Sequence, residues 1–406
     1  MISFRYLKYL KEIFYFIVKV INLSRYLRTF AEIDVNAIEH NLNELQNCID
    51  ENTLKCAVVK ADAYGHGAVT IAELLSDKVD FFAVASADEA MEIRRAGIKK
   101  NILVLSYTHS DDYEELISNN VRLTIYNKER AKKVNEAAKK IGRKAKIHIA
   151  IDTGMTRIGF HPDEEAVKAV CEINELENIE LEGIFSHYAC ADMTDKTVSY
   201  NQTELFKDFV KKCADSGITF RIHHMCNSAG ISELDENFDM VRMGISLYGL
   251  YPSDEIDQTV IDLIPALTFK SHIISIKDVP ADTGISYGHT YKTTQARRIA
   301  TVSAGYADGY PRALSGCGRV IVNGKYAPIV GRVCMDMFMI DVTDIDCEVT
   351  DEVILFGSDG NLTVSAEEIG EKSMSFNYEV ICGVSRRIPR VYKKDGKIIK
   401  TVNYLR

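Results

Sequence analysis

Short apolar runs in this chain repeatedly end on side chains that can carry chemistry. CAVV ends on Lys60, and DTGMTRIG, with Asp152 and Arg157, follows the run KIHIAI. SHYACAD brings His187, HHMCNSAG brings Asn227 and Ser228, and MVRMGISLYG carries Arg242, Gly244 and Ile245. Taken singly, each has an ordinary explanation: Lys60 as the first solvated residue after a strand, His187 as a satisfied core histidine, Arg242 as half of an ion pair, Asn227 and Ser228 as a helix cap. Taken together, a lysine among groups that suit phosphate and carboxylate points to a carbonyl cofactor held as a Schiff base. That chemistry requires all of them to converge on one place, so the elements that carry them decide the question.

Eight runs read as strands: 56–60, 80–85, 102–106, 121–125, 146–151, 181–187, 220–225 and 240–245. Helical periodicity separates them, for example over 69–75, 87–96, 128–141 and 200–216. Near-continuous apolar strands alternating with helices predict a parallel sheet covered on both faces, and this number of units fits a closed (β/α)8 barrel. A doubly wound open sheet is the alternative. In a barrel the strand ends meet at the C-terminal mouth, which is where the polar residues above fall.

The pattern changes beyond Pro252. Runs such as LTFKSHIISIKDV, RRIATVSAG, RVIVNGKYAPIVGRV and VILFG follow one another with turns and few helices. Asn323-Gly324 and Asp395-Gly396 are hairpin dipeptides. The expected organisation is an N-terminal extension over 1–28, a barrel over 29–252 and a mostly antiparallel β domain over 253–406.

The 406 residues carry a formal net charge of −9, which argues against a nucleic-acid partner. Ten cysteines are scattered without a C-x-x-C pair, the usage of a reducing compartment; a cytoplasmic location and no metal site are expected. The first residues differ from the rest, with six Lys or Arg against one Glu through Arg28. Their uninterrupted apolar core, Ile13 to Val18, is far below the roughly 20 residues of a spanning helix. No small-residue cleavage site follows it. Such a segment could lie on an anionic membrane surface or pack against protein.

AVVKADAYGHG, DTGMTRIG, NSAG, MVRMGISLYG, SYGHTY, GYADGYPR, APIVGRVCMD and NYEV, in this order, closely resemble the alanine racemases over about residues 30–395. The resemblance implies pyridoxal 5′-phosphate as cofactor, carried by Lys60. It implies phosphate contacts from Tyr64, Ser228, Tyr378 and the backbone at Gly244 and Ile245, with Asn227 beside them. Arg242 then faces the pyridine nitrogen and His187 supports it. A permanently charged donor there discourages ring protonation.

Racemisation needs an acid/base group on each face of a planar carbanion, because one base would tend to return the proton to the side it left. Lys60 matches one such group. Tyr287, in SYGHTY, matches the other, and in this family it comes from the partner subunit, so a homodimer with shared sites is implied. Arg157, Met335 and Asp336 match positions around the substrate carboxylate and the entrance. Many family members have a lysine two residues before the Asp of DTGM; here that place is Ala150.

The expected reaction is interconversion of L- and D-alanine, supplying D-alanine for peptidoglycan. Tyr378 in FNYEV favours alanine over serine, since its ring limits the space beside the substrate β-carbon. A serine racemase of the vancomycin-resistance type is the nearest alternative, and the hydrophobic leader keeps it open. A non-catalytic carrier of the same cofactor on a similar barrel would lack the β domain.

Overall fold

Strands that are apolar on both faces must be covered on both, and a sheet that returns on itself does this without leaving an edge. In the computed structural model, which describes residues 28–406, the chain divides into two compact units. One is residues 36–265; the other joins residues 28–35 to 266–406. All of the N-terminal extension except Arg28 lies outside the described residues.

The described chain opens on β1 (Thr29–Asp34) and continues through β2 (Leu54–Val58), β3 (Phe81–Val84), β4 (Asn101–Val104) and β5 (Val121–Ile125). β6 (Ala145–Ala150), β7 (Ile179–Phe185), β8 (Ile222–His224) and β9 (Met240–Met243) follow. β2 to β9 form one parallel sheet in the order β8-β7-β6-β5-β4-β3-β2-β9. β2 pairs with β9, Leu54 against Met240 through Ala57 against Met243, which brings the first strand beside the last. The seam between β8 and β9 is held by single backbone bonds, Asp239 N to His223 O at 3.1 Å and Arg242 N to Cys226 O at 3.0 Å. This is the expected barrel, and the joined edges exclude the open sheet. Every residue of β3 and β5 is buried, as a parallel sheet covered on both faces requires.

Helices follow the strands where capping residues start them. Asn127 and Asp163 accept from the backbone of the helices Lys128–Lys140 and Glu164–Asn174, and Ser86 with Glu89 closes a capping box on Ala87–Arg95.

This unit extends to Pro265 rather than to 252. Asn41 staples the irregular segment after Pro252 to the helix Val35–Asn47: its Nδ2 donates to Ile264 O at 2.9 Å and its Oδ1 accepts from Ile264 N at 2.8 Å. A segment with neither helical nor strand period carries no signal of this attachment.

In the second unit ten strands form one mostly antiparallel sheet. β1 lies inside it, antiparallel to β10 (Leu267–Val279) and parallel to the strand Arg390–Lys394. Residues 29–35 therefore group with the β domain and not with the barrel, because the partners of β1 come from the far end of the chain. Asn323-Gly324 and Asp395-Gly396 make the expected hairpins, with φ of 45° and 69° at the first pair and 50° and 70° at the second. The ten cysteines are free thiols. Among the described residues no helix is long and apolar enough to cross a membrane, and no group of side chains could hold a metal ion.

Candidate active site

The strand that delivers Lys60 ends at Val58, and the chain then makes a single left-handed turn. Ala61, Asp62, Ala63 and Tyr64 have φ of 52° to 54°, a conformation that costs a non-glycine residue about 1–2 kcal/mol each. Surrounding bonds hold it. Glu89 Oε1 accepts from Ala61 N at 2.7 Å while its Oε2 accepts from Ala85 N at 2.7 Å. Asp62 Oδ1 accepts from Ala68 N at 3.0 Å, at the start of the next helix. Backbone strain of this kind concentrates at functional sites.

Lys60 lines a cavity of about 210 Å³ together with Met155, Arg157, Phe185, His187 and Arg242. These residues come from the C-terminal ends of β2, β6 and β7 and from β9, and no carboxylate is among the lining residues. The cavity is therefore cationic and suits an anionic ligand. Arg242 is fixed from all sides: Nη2 donates to Ser186 O at 2.9 Å, Met225 O at 2.7 Å and His187 Nδ1 at 3.1 Å, and Nη1 to His224 Nδ1 at 2.7 Å. Burial lowers its pKa to about 10, so it stays charged. Burial, and then the charges of Arg242, Arg157 and Lys60, hold His187 well below the ordinary histidine value; it is neutral and accepts from Arg242.

Beside this cavity the structure supplies a cradle for a phosphate. A Cβ placed on Gly244 would lie 3.2 Å from the Tyr64 hydroxyl and 3.3 Å from the Ser228 hydroxyl. Ser228 Oγ accepts from Gly244 N at 3.0 Å and Ser246 N at 3.3 Å, which leaves its own proton to donate outward. The Ser246 hydroxyl is buried and has no hydrogen-bond partner among the described residues. Asn227 serves here as a helix cap, its Oδ1 accepting from Gly230 N at 2.9 Å. Neutral hydroxyl and amide donors around a glycine, next to a lysine and a buried guanidinium, fit pyridoxal 5′-phosphate.

Ala150 lines the cavity where the departure from the family pattern lies, and among the described residues no carboxylate pairs with Arg157. Asp152 instead accepts from Gly154 N at 3.0 Å and Thr156 N at 2.9 Å, shaping the loop that carries Arg157. A larger open hollow of about 650 Å³, lined by Asp77, Asp80, Lys99, Lys100 and Arg221 among others, contains none of the residues singled out from the sequence.

Tyr287, Met335, Asp336 and Tyr378 belong to the second unit. Tyr287 is 72% exposed, on a turn whose Ser286 has φ 64° and donates to Arg332 O at 2.9 Å. The loop of Met335 is held by Tyr306 N to Cys334 O and Ala307 N to Met335 O, both 3.0 Å. Asp336 pairs with Arg387 at 2.5 Å and Arg28 at 3.7 Å. Tyr378 stands on the helix Asn377–Cys382, its ring 5.3 Å from Phe376. Glu89, Ser246 and His224 escape the motif pattern, because a capping glutamate, a buried serine and a core histidine are common anywhere; only the doubled histidine before MCNSAG hints at the last.

The family models for the alanine racemase N-terminal and C-terminal domains match residues 33–252 and 266–392. An alanine racemase of Clostridium perfringens is 46% identical over 379 residues, 93% of this chain and 98% of that protein. Among solved structures, alanine racemase of Clostridium difficile 630 superposes with a TM-score of 0.91 at 45% identity, over 93% of this chain and 99% of the other. That of Bacillus anthracis, with bound L-Ala-P, gives 0.88 at 38%, over 94% and 98%.

Proposed function

Since the chain belongs to the alanine racemase family, whose members depend on pyridoxal 5′-phosphate, we propose that it interconverts L- and D-alanine by moving the α-proton between Lys60 and Tyr287. The cofactor, when bound, withdraws electrons from the α-carbon and so acidifies its C–H bond. Everything else falls to the protein's own residues. The Lys60 amine would anchor the cofactor and would take or return the α-proton on one face. The phenol of Tyr287 of the partner subunit does the converse on the opposite face. Ser228, whose hydroxyl engages the Gly244 amide, would bind the phosphate together with Tyr64, Tyr378 and the backbone at Ile245. Arg242, backed by His187, would donate to the ring nitrogen, and the Arg157 guanidinium would receive the substrate carboxylate, with Met335 and Asp336 at the positions around it and the entrance.

The observation that carries this reading is the cationic cavity that groups Lys60, Arg157, His187 and Arg242 at the barrel mouth. The exposure of Tyr287 supports a shared site in a homodimer. Supply of D-alanine for peptidoglycan in the cytoplasm is the role that this chemistry serves. Surface contact of the N-terminal extension with a membrane lies outside the described residues. Purified protein given L-alanine and L-serine separately, with each D-isomer followed by chiral chromatography, tests the proposal. D-alanine should form first and fastest; serine turnover as fast as alanine would put a serine racemase in its place.

A further inference from the structure

Behind Arg242 the barrel interior carries a line of polar side chains. His224 Nε2 lies 2.9 Å from His148 Nδ1, and His148 Nε2 lies 3.4 Å from Glu182 Oε2. With the 2.7 Å bond from Arg242 to His224, this makes a continuous chain from the cofactor cavity to Glu182. His148, His224 and Glu182 are buried. Three cations hold the carboxylate: Arg122 through Nε at 2.7 Å and Nη2 at 3.2 Å, Arg221 at 2.5 Å and Lys146 at 3.4 Å.

The two ends of this chain determine every proton between them. A guanidinium only donates and an ionised carboxylate only accepts. Burial raises the Glu182 pKa, but its hydrogen bonds with His148 and Arg122 outweigh that and keep it well below the usual carboxylate range. Burial also holds both histidines below their ordinary value, so each is neutral with one N–H. Arg242 donates to His224 Nδ1, so the His224 proton is on Nε2 and points at His148 Nδ1. The His148 proton is then on Nε2 and points at Glu182.

The local backbone is shaped for this chain. The register of β6 with β7 shifts between Ile147, opposite Leu181, and His148, opposite Gly183; Glu182 is the extra residue of a bulge, the device that re-aims a side chain. A Cβ on Gly183 would lie 2.6 Å from His148 Nδ1, so glycine leaves the ring its place. Phe185 stacks on His224 at 4.9 Å, and Phe81 meets His148 edge-on at 6.2 Å.

We infer that Glu182 is a positioning residue for the cofactor site: through His148 and His224 it fixes the tautomer that gives Arg242 its acceptor, and so sets how Arg242 presents its remaining donors to the ring nitrogen. This rests on the proposed placement of Arg242 at that nitrogen. Glu182 Oε1 takes Arg122 Nη2, Arg221 and Lys146, and Oε2 takes Arg122 Nε and His148. With glutamine at 182 the three cations draw the amide oxygen to the first position, so its N–H groups face the donors of Arg122 and His148, and the conflict passes up the chain to Arg242.

The test uses the cofactor-loaded protein and four variants: Glu182→Gln, His148→Phe, Glu182→Asp and Arg242→Lys. The readouts are the visible absorption band of the bound cofactor, its titration with pH, the cofactor dissociation constant and the melting temperature. Glu182→Gln and His148→Phe should shift the band or its titration and weaken cofactor binding about tenfold, the loss of one charge-assisted hydrogen bond. Glu182→Asp, which keeps the acceptor, should restore both even at a lower melting temperature. If Glu182→Gln does not fold, His148→Phe decides, since it leaves Glu182 with its three cations. A changed melting temperature with band, titration and affinity unchanged overturns the inference, provided Arg242→Lys changes them. If Arg242→Lys also leaves them unchanged, the placement of Arg242 at the ring nitrogen fails first.

Discussion

Arg28 and Asp308, 280 residues apart, are joined by two parallel hydrogen bonds of 3.0 Å each, Nη1 to Oδ1 and Nη2 to Oδ2. Asp308 is fully buried and also accepts from Arg387 Nε at 2.7 Å and Gly305 N at 3.0 Å. Both arginines reach on to Asp336. Arg28 is thus part of the β domain and not of the extension expected over 1–28. A protein that begins at Arg28 should keep its turnover. One that begins at Thr29, or carries Arg28→Ala, should lose about 1–3 kcal/mol of stability, toward the lower end because Arg28 is 43% exposed. Urea midpoints of the two truncated proteins measure the difference; equal midpoints would place Arg28 with the extension.

Lys60 should be the residue that binds pyridoxal 5′-phosphate covalently, as the lysine that lines the cationic cavity. Borohydride reduction followed by peptide mapping should find the phosphopyridoxyl label there. A label on another lysine would refute the assignment.

Activity should need two subunits. Lys60→Ala and Tyr287→Phe, each inactive alone, should recover partial turnover when mixed, because a hybrid dimer contains one site with both groups intact. If subunit exchange is demonstrated and no turnover returns, Lys60 and Tyr287 do not act across a shared site.

The apo-protein should lose stability in mild acid. His148, His187 and His224 are held below the ordinary histidine value, by burial first and by neighbouring cations. Their folded pKa lies below the unfolded one, so the unfolded chain binds more protons as the pH falls through about 6.5. Each histidine then removes up to about 1.4 kcal/mol per pH unit. The denaturant midpoint should drop steadily between about pH 7 and about pH 5, and less steeply in His148→Phe. A flat profile would mean that the histidines take up protons as readily in the folded as in the unfolded chain.

Alanine should be preferred over serine by roughly ten- to a hundredfold in kcat/KM, the difference made by a hydroxyl that loses water without gaining a sure partner. Tyr378→Asn should narrow that ratio mainly by raising serine turnover. No change in the ratio would remove Tyr378 from the specificity of the site.

What local pattern can determine, it determined. Near-continuous apolar runs set between stretches of helical period located the eight barrel strands within a few residues, since burial on both faces of a parallel strand needs an apolar run whatever its partner is. Asn-Gly and Asp-Gly marked two hairpins because positive φ at consecutive residues is a local demand. Lys60, His187 and Arg242 were legible as a set because a barrel turns strand ends into neighbours.

The tertiary structure alone decided what depends on distant partners. Residues 29–34 fall within the stretch expected to be barrel yet form a β-domain strand, because the ladders of β1 are with β10 and Arg390–Lys394. LEGIF gives no sign that Glu182 is the odd residue of a bulge, since a bulge is a property of two strands and not of one. The left-handed turn after Lys60 contains no glycine among its first four residues, so nothing local announces it; a glutamate on another helix holds it in place. Charges such as Arg28 and Asp308 look like solvated surface until folding removes the water from one of them, and only then does its pairing become obligatory.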